Sequence, residues 1–239
     1  MHESRGLGDV YKRQDLSWMT AQFIYSFGGV LAEVDVQGRD NILINSPESA
    51  QALDFYINKL GQHAQLNWET HNGSDVMEAF ANEEVAFEIQ GPWGVSDIWK
   101  RGNPFEVGVI ALSDFGLHSE VGPMMLAISK ECEDLDWAEA FIRYMIEKEN
   151  LNHIMKGEYL PKYGAYYPFR IPIHQEADKS DFFQRYPDFY PFIEGFNQPS
   201  ICTPTSRWAE LQQNQYTFLI HQVIINEKTI NEALEEMIE

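Results

Sequence analysis

The chain has 239 residues, 44% of them apolar and 13% aromatic, which suffices for a buried core and excludes an intrinsically disordered class. The 37 acidic residues against 17 basic ones leave a formal net charge of −20, a surface that repels phosphate backbones and anionic membranes and so argues against nucleic-acid binding. No run of about 18 apolar residues offers itself as a membrane span. Cys132 and Cys202 lie far apart in sequence, and both a disulfide and two separate thiols remain open for them.

Residues 1–14 (MHESRGLGDVYKRQ) read as translated adaptor sequence rather than part of the fold, and the natural start is expected upstream. From Leu16 to Phe27 an aromatic-rich apolar segment predicts a helix stopped at Gly28-Gly29. Short β-like pieces around Gly38 fill residues 30–44. Ser46 then reads as an N-cap with Pro47 at the first helical position, and Ala50, Leu53, Ile57 and Leu60 form an apolar stripe ending at Gly61.

A further helix begins near Ser74, with Met77, Phe80 and Ala81 inward. Alternation of Val85, Phe87 and Ile89 predicts a strand over 84–90, and Phe105, Val107 and Val109 predict another over 105–111. A helix near 93–101 between them makes a β-α-β unit. Residues 113–120 are a polar loop, 121–129 a third strand, and 135–147 and 149–155 two helices, the first with Trp137, Phe141 and Met145 on one face. Loops near 112–120 and 157–164 set 121–156 apart as an inserted piece. Proline- and aromatic-rich sequence over 159–204 predicts irregular structure with short helices near 180–195. Helices return over 205–223 and after Thr229, where Thr229-Ile230-Asn231-Glu232 forms a capping box.

The segment 74–98 carries the most functional information. A predicted strand breaks at Gly91-Pro92 and restarts as a helix, which places Trp93 at the end of a strand, where open α/β folds keep a ligand crevice. A tryptophan there offers a flat apolar face and one N–H, a surface suited to a sugar ring. Covering about 80–100 Å² of such a face contributes roughly 2 kcal/mol. Micromolar affinity needs about 8 kcal/mol, so several aromatic side chains must cooperate.

In family order the chain reads INSPESAQALDFYINKL, SDVMEAFANEEVAFEIQGPW, VGPMMLAISKECEDLDWAEAFIRYMI, GEYLPKYGAYY and RWAELQQ. With these blocks, residues 15–239 resemble the extracellular solute-binding proteins of carbohydrate ABC importers, the group typified by maltose-binding protein. The resemblance implies an α/β fold of the periplasmic-binding-protein type, two lobes that close on a sugar between them. It assigns 15–111 and 160–239 to the carboxy-terminal lobe and 112–159 to a remnant of the amino-terminal lobe with its crossovers. Most of that second lobe would lie outside this chain, so affinity is expected to be millimolar at best.

The resemblance further implies sugar contacts at Trp93, Trp18, Trp208 and Tyr159, with Gln212 at a position where some members carry arginine. Gly122-Pro123-Met124 stands where relatives have Gly-Gly-Trp, and Glu158 is an addition to the Gly-Tyr-Leu-Pro turn. Packing is the competing reading for Trp18 and Trp208 and the simplest one for Trp68, Trp99 and Trp137. The implied partners are a sugar or oligosaccharide and the membrane permease of the importer. The protein would be a monomer, located in a periplasm or outside the cell and membrane-anchored, with no cofactor.

Two other classes compete. A glycoside hydrolase needs two carboxyl groups flanking a sugar, and Glu83 with Glu84 or Glu33 with Asp35 supply formal pairs, though chance pairs abound among 37 acids. A solute-binding protein for a polyamine, iron or phosphate is the other; aromatic side chains can hold a cation. The seven histidines, among them His118, His153 and His221, show no metal-ligand spacing, and neither a nucleophile elbow nor a phosphate-cradling glycine loop occurs.

Overall fold

A computed structural model of the chain describes residues 6–64, 73–122, 125–172, 179–197, 199–200 and 205–238. The chain divides into two compact units. One comprises Met1–Glu88, Leu112–Val121 and Gly195–Glu239, the other Ile89–Ala111 and Gly122–Glu194.

The first unit is built on helix α1 (Gly6–Ser26), which begins ten residues earlier than its apolar pattern predicts. Ser17, Thr20, Ala21 and Ile24 recur at helical spacing and are buried, with Phe23 beside them. The helix stops as predicted. Gly28 takes φ +87°, and the amides of Gly28 and Gly29 bond back to the carbonyls of Tyr25 and Ile24 at 3.0 and 2.9 Å, the double bond of a Schellman cap.

Strands β1 (Ala32–Val34) and β2 (Asp40–Ile42) pair antiparallel around a turn in which Gly38 takes φ +78°. Helix α2 (Pro47–Asp54) starts where the Ser46 hydroxyl accepts the Ser49 amide at 3.1 Å, and it packs on α1. It continues as a π-helical stretch over Phe55–Leu60. Helix α3 (Gly73–Ala81) follows. Strand β3 (Ser119–Glu120) runs parallel to β6 (Pro199–Ser200).

Helix α9 (Ser206–Leu211) winds through a π turn at Gln212–Tyr216 into α10 (Thr217–Ile224). Helix α11 (Ile230–Glu236) opens on the predicted capping box, in which Thr229 and Glu232 exchange both bonds. Phe23, Ile24, Leu53, Tyr216, Ile220 and Leu234 form the centre of this core.

The second unit contains α4 (Pro92–Lys100), α5 (Leu135–Ile146), α6 (Lys148–Met155), the hairpin β4 (Glu158–Leu160) with β5 (Ala165–Tyr167), α7 (Lys179–Arg185) and α8 (Tyr190–Glu194). Its core is aromatic. Trp99 meets Tyr167, Phe189 and Tyr186 at ring distances of 4.6, 5.5 and 5.8 Å. The Asp134 carboxylate caps α5 at the Trp137 amide. Neither α5 nor α6 buries a single residue.

The strands predicted over 84–90, 105–111 and 121–129 do not form ladders among the described residues; residues 123–124 and Trp68 lie outside these. The backbone there follows an open course, and Phe87 stays 82% exposed. Alternation marks a segment with two chemically different faces, but a strand becomes part of a sheet only through the amides of a neighbour. The pairings among the described residues use other segments.

Candidate functional site

Trp93 owes its position to three local features. Gly91 is the N-cap of α4 in extended conformation and Pro92 supplies the first helical residue. The indole of Trp93 then folds back over Gly91, where a methyl group would collide with Cη2 and Cζ3 of the ring. Glycine at 91 leaves space for this ring position and is not needed for its backbone angles.

Along one face of α4, positions 93, 96 and 99 engage successive parts of the segment 167–170. Trp99 packs on Tyr167, and the Ser96 hydroxyl donates to the buried side of the Pro168 carbonyl. Trp93 lies under Arg170, whose guanidinium is 5.2 Å from its ring centre. Trp93 retains 43% exposure. Arg170 carried no sequence signal beyond its aromatic neighbourhood (Tyr166, Tyr167, Phe169).

Tyr159 sits on β4 opposite Tyr166, their rings 5.1 Å apart, and is 49% exposed. Lys100 at the end of α4 pairs with Glu158 beside it. Gly157, with φ +79°, begins this hairpin against the Tyr167 carbonyl, which leaves no room for a side chain. Trp93 and Tyr159 are therefore linked through β5 and α4 within one unit.

In the other unit, Trp18 projects from α1 outside its buried stripe and is 46% exposed. Gln212 Nε2 donates to the Ser17 hydroxyl at 2.7 Å, which ties the π turn to the residue next to Trp18 in sequence. Trp208 is only 4% exposed. Its ring packs edge-on against Tyr216, whose hydroxyl meets Thr20 Oγ1 at 2.6 Å. The indole expected to stack on a sugar is thus buried, with Tyr216 of the π turn packed against it.

Of the two carboxylate pairs, Asp35 has a structural role. Asp35 accepts the Gln37 and Arg39 amides at 2.8 and 2.9 Å and the Arg39 guanidinium at 2.7 Å, and the backbone bonds, with that of Arg39 foremost, hold its pKa below the usual range. It closes the β1–β2 turn. Glu83 and Glu84 are both exposed on the turn after α3. Among the described residues, no group of three or more His, Cys, Asp or Glu side chains could hold a metal ion, and no helix is long and apolar enough to cross a membrane. A depression at α10–α11 lined by Gln222, Glu227, Lys228, Glu232, Glu235 and Glu236 holds no aromatic side chain, and its Lys228 is paired with Glu236.

Residues 8–191 match the family of bacterial extracellular solute-binding proteins. The chain belongs to that family. Over 85 residues it is 32% identical to the multiple sugar-binding protein of Streptococcus mutans serotype c (strain ATCC 700610 / UA159), a match covering 34% of this chain and 20% of that protein.

Similar solved structures include the maltose-maltodextrin binding protein of Alicyclobacillus acidocaldarius (TM-score 0.65, 15% identical, 95% of this chain and 59% of that one). The cyclic alpha-maltosyl-1,6-maltose binding protein of Arthrobacter globiformis follows (TM-score 0.63, 17% identical, 95% and 55%). A third is an ABC transporter solute-binding protein of Thermotoga lettingae TMO bound with alpha-D-tagatose (TM-score 0.61, 15% identical, 94% and 55%). This family member thus has the α/β periplasmic-binding-protein fold expected from its sequence blocks, and it spans little more than half the length of these solved relatives.

Proposed function

We propose that this solute-binding protein is the substrate-binding component of an ABC importer, reversibly capturing a sugar or oligosaccharide in a cleft between lobes and delivering it to a membrane permease. It would do so outside the cytoplasmic membrane, in a periplasm or as a membrane-anchored monomer, and without covalent chemistry. The observation that carries the reading is the exposure of Trp93 at the start of α4, in a chain whose family members bind solutes. The names of the similar proteins, which speak of multiple sugars, maltodextrin and tagatose, support a saccharide over other solutes.

Trp93 and Tyr159 supply aromatic contact on one unit; Trp18 and Gln212 supply an aromatic and an amide on the other. The side chains present suit a neutral or weakly charged ring, with apolar patches for its C–H faces and donors at its rim.

A calorimetric panel of mono- and oligosaccharides, polyamines, iron and phosphate tests the reading. The expected outcome is a saccharide response weakened about tenfold or more by Trp93→Ala, consistent with the loss of a stacked aromatic contact. A response confined to polyamines, iron or phosphate would overturn it in favour of another solute. New reducing ends appearing on incubation with oligosaccharides would overturn it in favour of a hydrolase.

A further inference from the structure

Helix α9 is held at its start by two side chains of different origin. Thr205 is the local one, its hydroxyl accepting the Trp208 amide at 2.9 Å. The other is Asp40, the first residue of β2. Its Oδ2 accepts the Arg207 amide at 3.1 Å and the Ser206 hydroxyl at 3.0 Å. Thr205 would cap α9 wherever the helix lay. Asp40 stands 166 positions from Ser206 in sequence, so its bonds fix α9 against the β1–β2 hairpin. A carboxylate on a backbone amide makes a stronger bond than a neutral acceptor does.

The far end of the helix is fixed elsewhere. Helix α9 runs straight into the π turn, and Gln212, the first residue of that turn, donates to the Ser17 hydroxyl at 2.7 Å. Ser17 is buried on α1, and Trp18 follows it in the chain. The hairpin therefore holds one end of α9 and α1 holds the other. The end on α1 carries Gln212, one of the two saccharide contacts proposed for this unit. Hairpin, α9, π turn and α1 all belong to the same compact unit.

Such a lever is short but sensitive. Six helical residues rise about 9 Å, so a tilt of about 10° at the start of α9 moves the π turn by roughly 1.5 Å. A binding constellation tolerates about 0.5 Å. The same displacement would stretch the 2.7 Å bond from Gln212 beyond hydrogen-bonding range. The anchor is itself braced, because Asp35 closes the turn directly ahead of Asp40 through the Gln37 and Arg39 amides.

We propose that Asp40 is a positioning residue of the saccharide site. By accepting two donors at the start of α9 it sets where the π turn presents Gln212, without touching the ligand itself. The inference rests on the sugar-binding reading above and adds to it a residue that acts through another.

The test uses the full chain, with maltotriose as the probe. NMR follows the indole N–H groups and the Gln212 side-chain amide, the latter identified by its loss in Gln212→Met. In Asp40→Ala that amide should move towards the positions of the exposed Gln213 and Gln215 amides. Half-saturation by maltotriose should rise about three- to tenfold, the size of one hydrogen bond. Asp40→Asn keeps an acceptor oxygen for both donors and should stay within about twofold of the unmodified chain. Ser206→Ala removes one of the two bonds and should shift the Gln212 amide part of the way. Thr229→Ala loses a cap of similar worth on α11 and should leave both the amide and the half-saturation unchanged.

A Gln212 amide that stays in place, or one that moves while half-saturation does not, would overturn the inference. So would equal weakening in Thr229→Ala, which would reduce the effect to lost stability, or an Asp40→Asn chain as weak as Asp40→Ala. If Asp40→Ala does not fold, Ser206→Ala and Asp40→Asn carry the same comparison. In each of these cases the sugar-binding reading stands. If neither maltotriose nor any other saccharide moves a signal of the unmodified chain, that reading falls and this inference falls with it.

Discussion

In α10, Leu219, Ile220 and Val223 continue a stripe that begins at Tyr216, and all four are buried. In α5, Trp137, Phe141 and Tyr144 recur at the same spacing and all are exposed, Trp137 at 76%. The two helices carry the same signal in sequence. They differ in what stands opposite: α10 has α1 and α11, whereas α5 has α6, which buries nothing itself. Periodicity establishes that a helix has an apolar face. Whether that face becomes core depends on another element arriving across from it.

Substitutions can break this contrast. Tyr216→Ala removes a fully buried ring and its bond to Thr20 and should cost about 3–5 kcal/mol in urea denaturation. Trp137→Ala in the same assay should change stability by no more than about 0.5 kcal/mol. A loss above about 2 kcal/mol at Trp137 would mean that something covers the α5 face in solution, and the comparison would fail.

Within the second unit, Ser96→Ala leaves the Pro168 carbonyl without its donor and should cost about 1–3 kcal/mol. A change in Trp93 emission should accompany it, since the same strap carries Arg170. Gly91→Ala should cost less in stability, because the ring it meets can swing aside, but it should expose Trp93 to acrylamide quenching. Unchanged quenching would show that the indole does not rest on Gly91.

In the first unit, Thr229→Ala removes the N-cap of α11 and should cost about 1 kcal/mol. The backbone bond from Thr229, aided by its hydroxyl, holds Glu232 below the usual glutamate pKa. A carboxyl depressed on folding stabilises the protein above its unfolded pKa, and that contribution is lost as pH falls through the folded value. The denaturation midpoint of the natural chain should therefore fall more steeply than that of Glu232→Gln as pH drops from about 5 to 3. Parallel curves would remove the capping carboxylate from the account.

Caps and glycine stops were the most legible parts of the fold. Ser46 with Pro47, Gly28 and Thr229 with Glu232 each carry their partner within a few residues, so local sequence contains the whole interaction. The strands were the least legible. Val85, Phe87 and Ile89 alternate, but the ladder that would make them a strand depends on a distant segment.

The candidate site divides on the same line. Gly91-Pro92-Trp93 is a local device, and both its helix start and its exposed indole follow from adjacent residues. Arg170 reaches Trp93 from 77 positions away in sequence (170 − 93). The burial of Trp208 beside Tyr216 was not legible in the sequence, because a π turn lies between them and regular α-helical winding would not be expected to bring the two rings together.

That winding has a consequence of its own. In the stretch Gln212–Tyr216 the backbone bonds skip to the fifth residue, so the coil there holds surplus chain. Positions 213–215 are exposed, and dropping one of them would let the coil tighten to ordinary pitch without rotating the sides of the helix above and below. This point absorbs length changes that elsewhere would turn buried side chains outward.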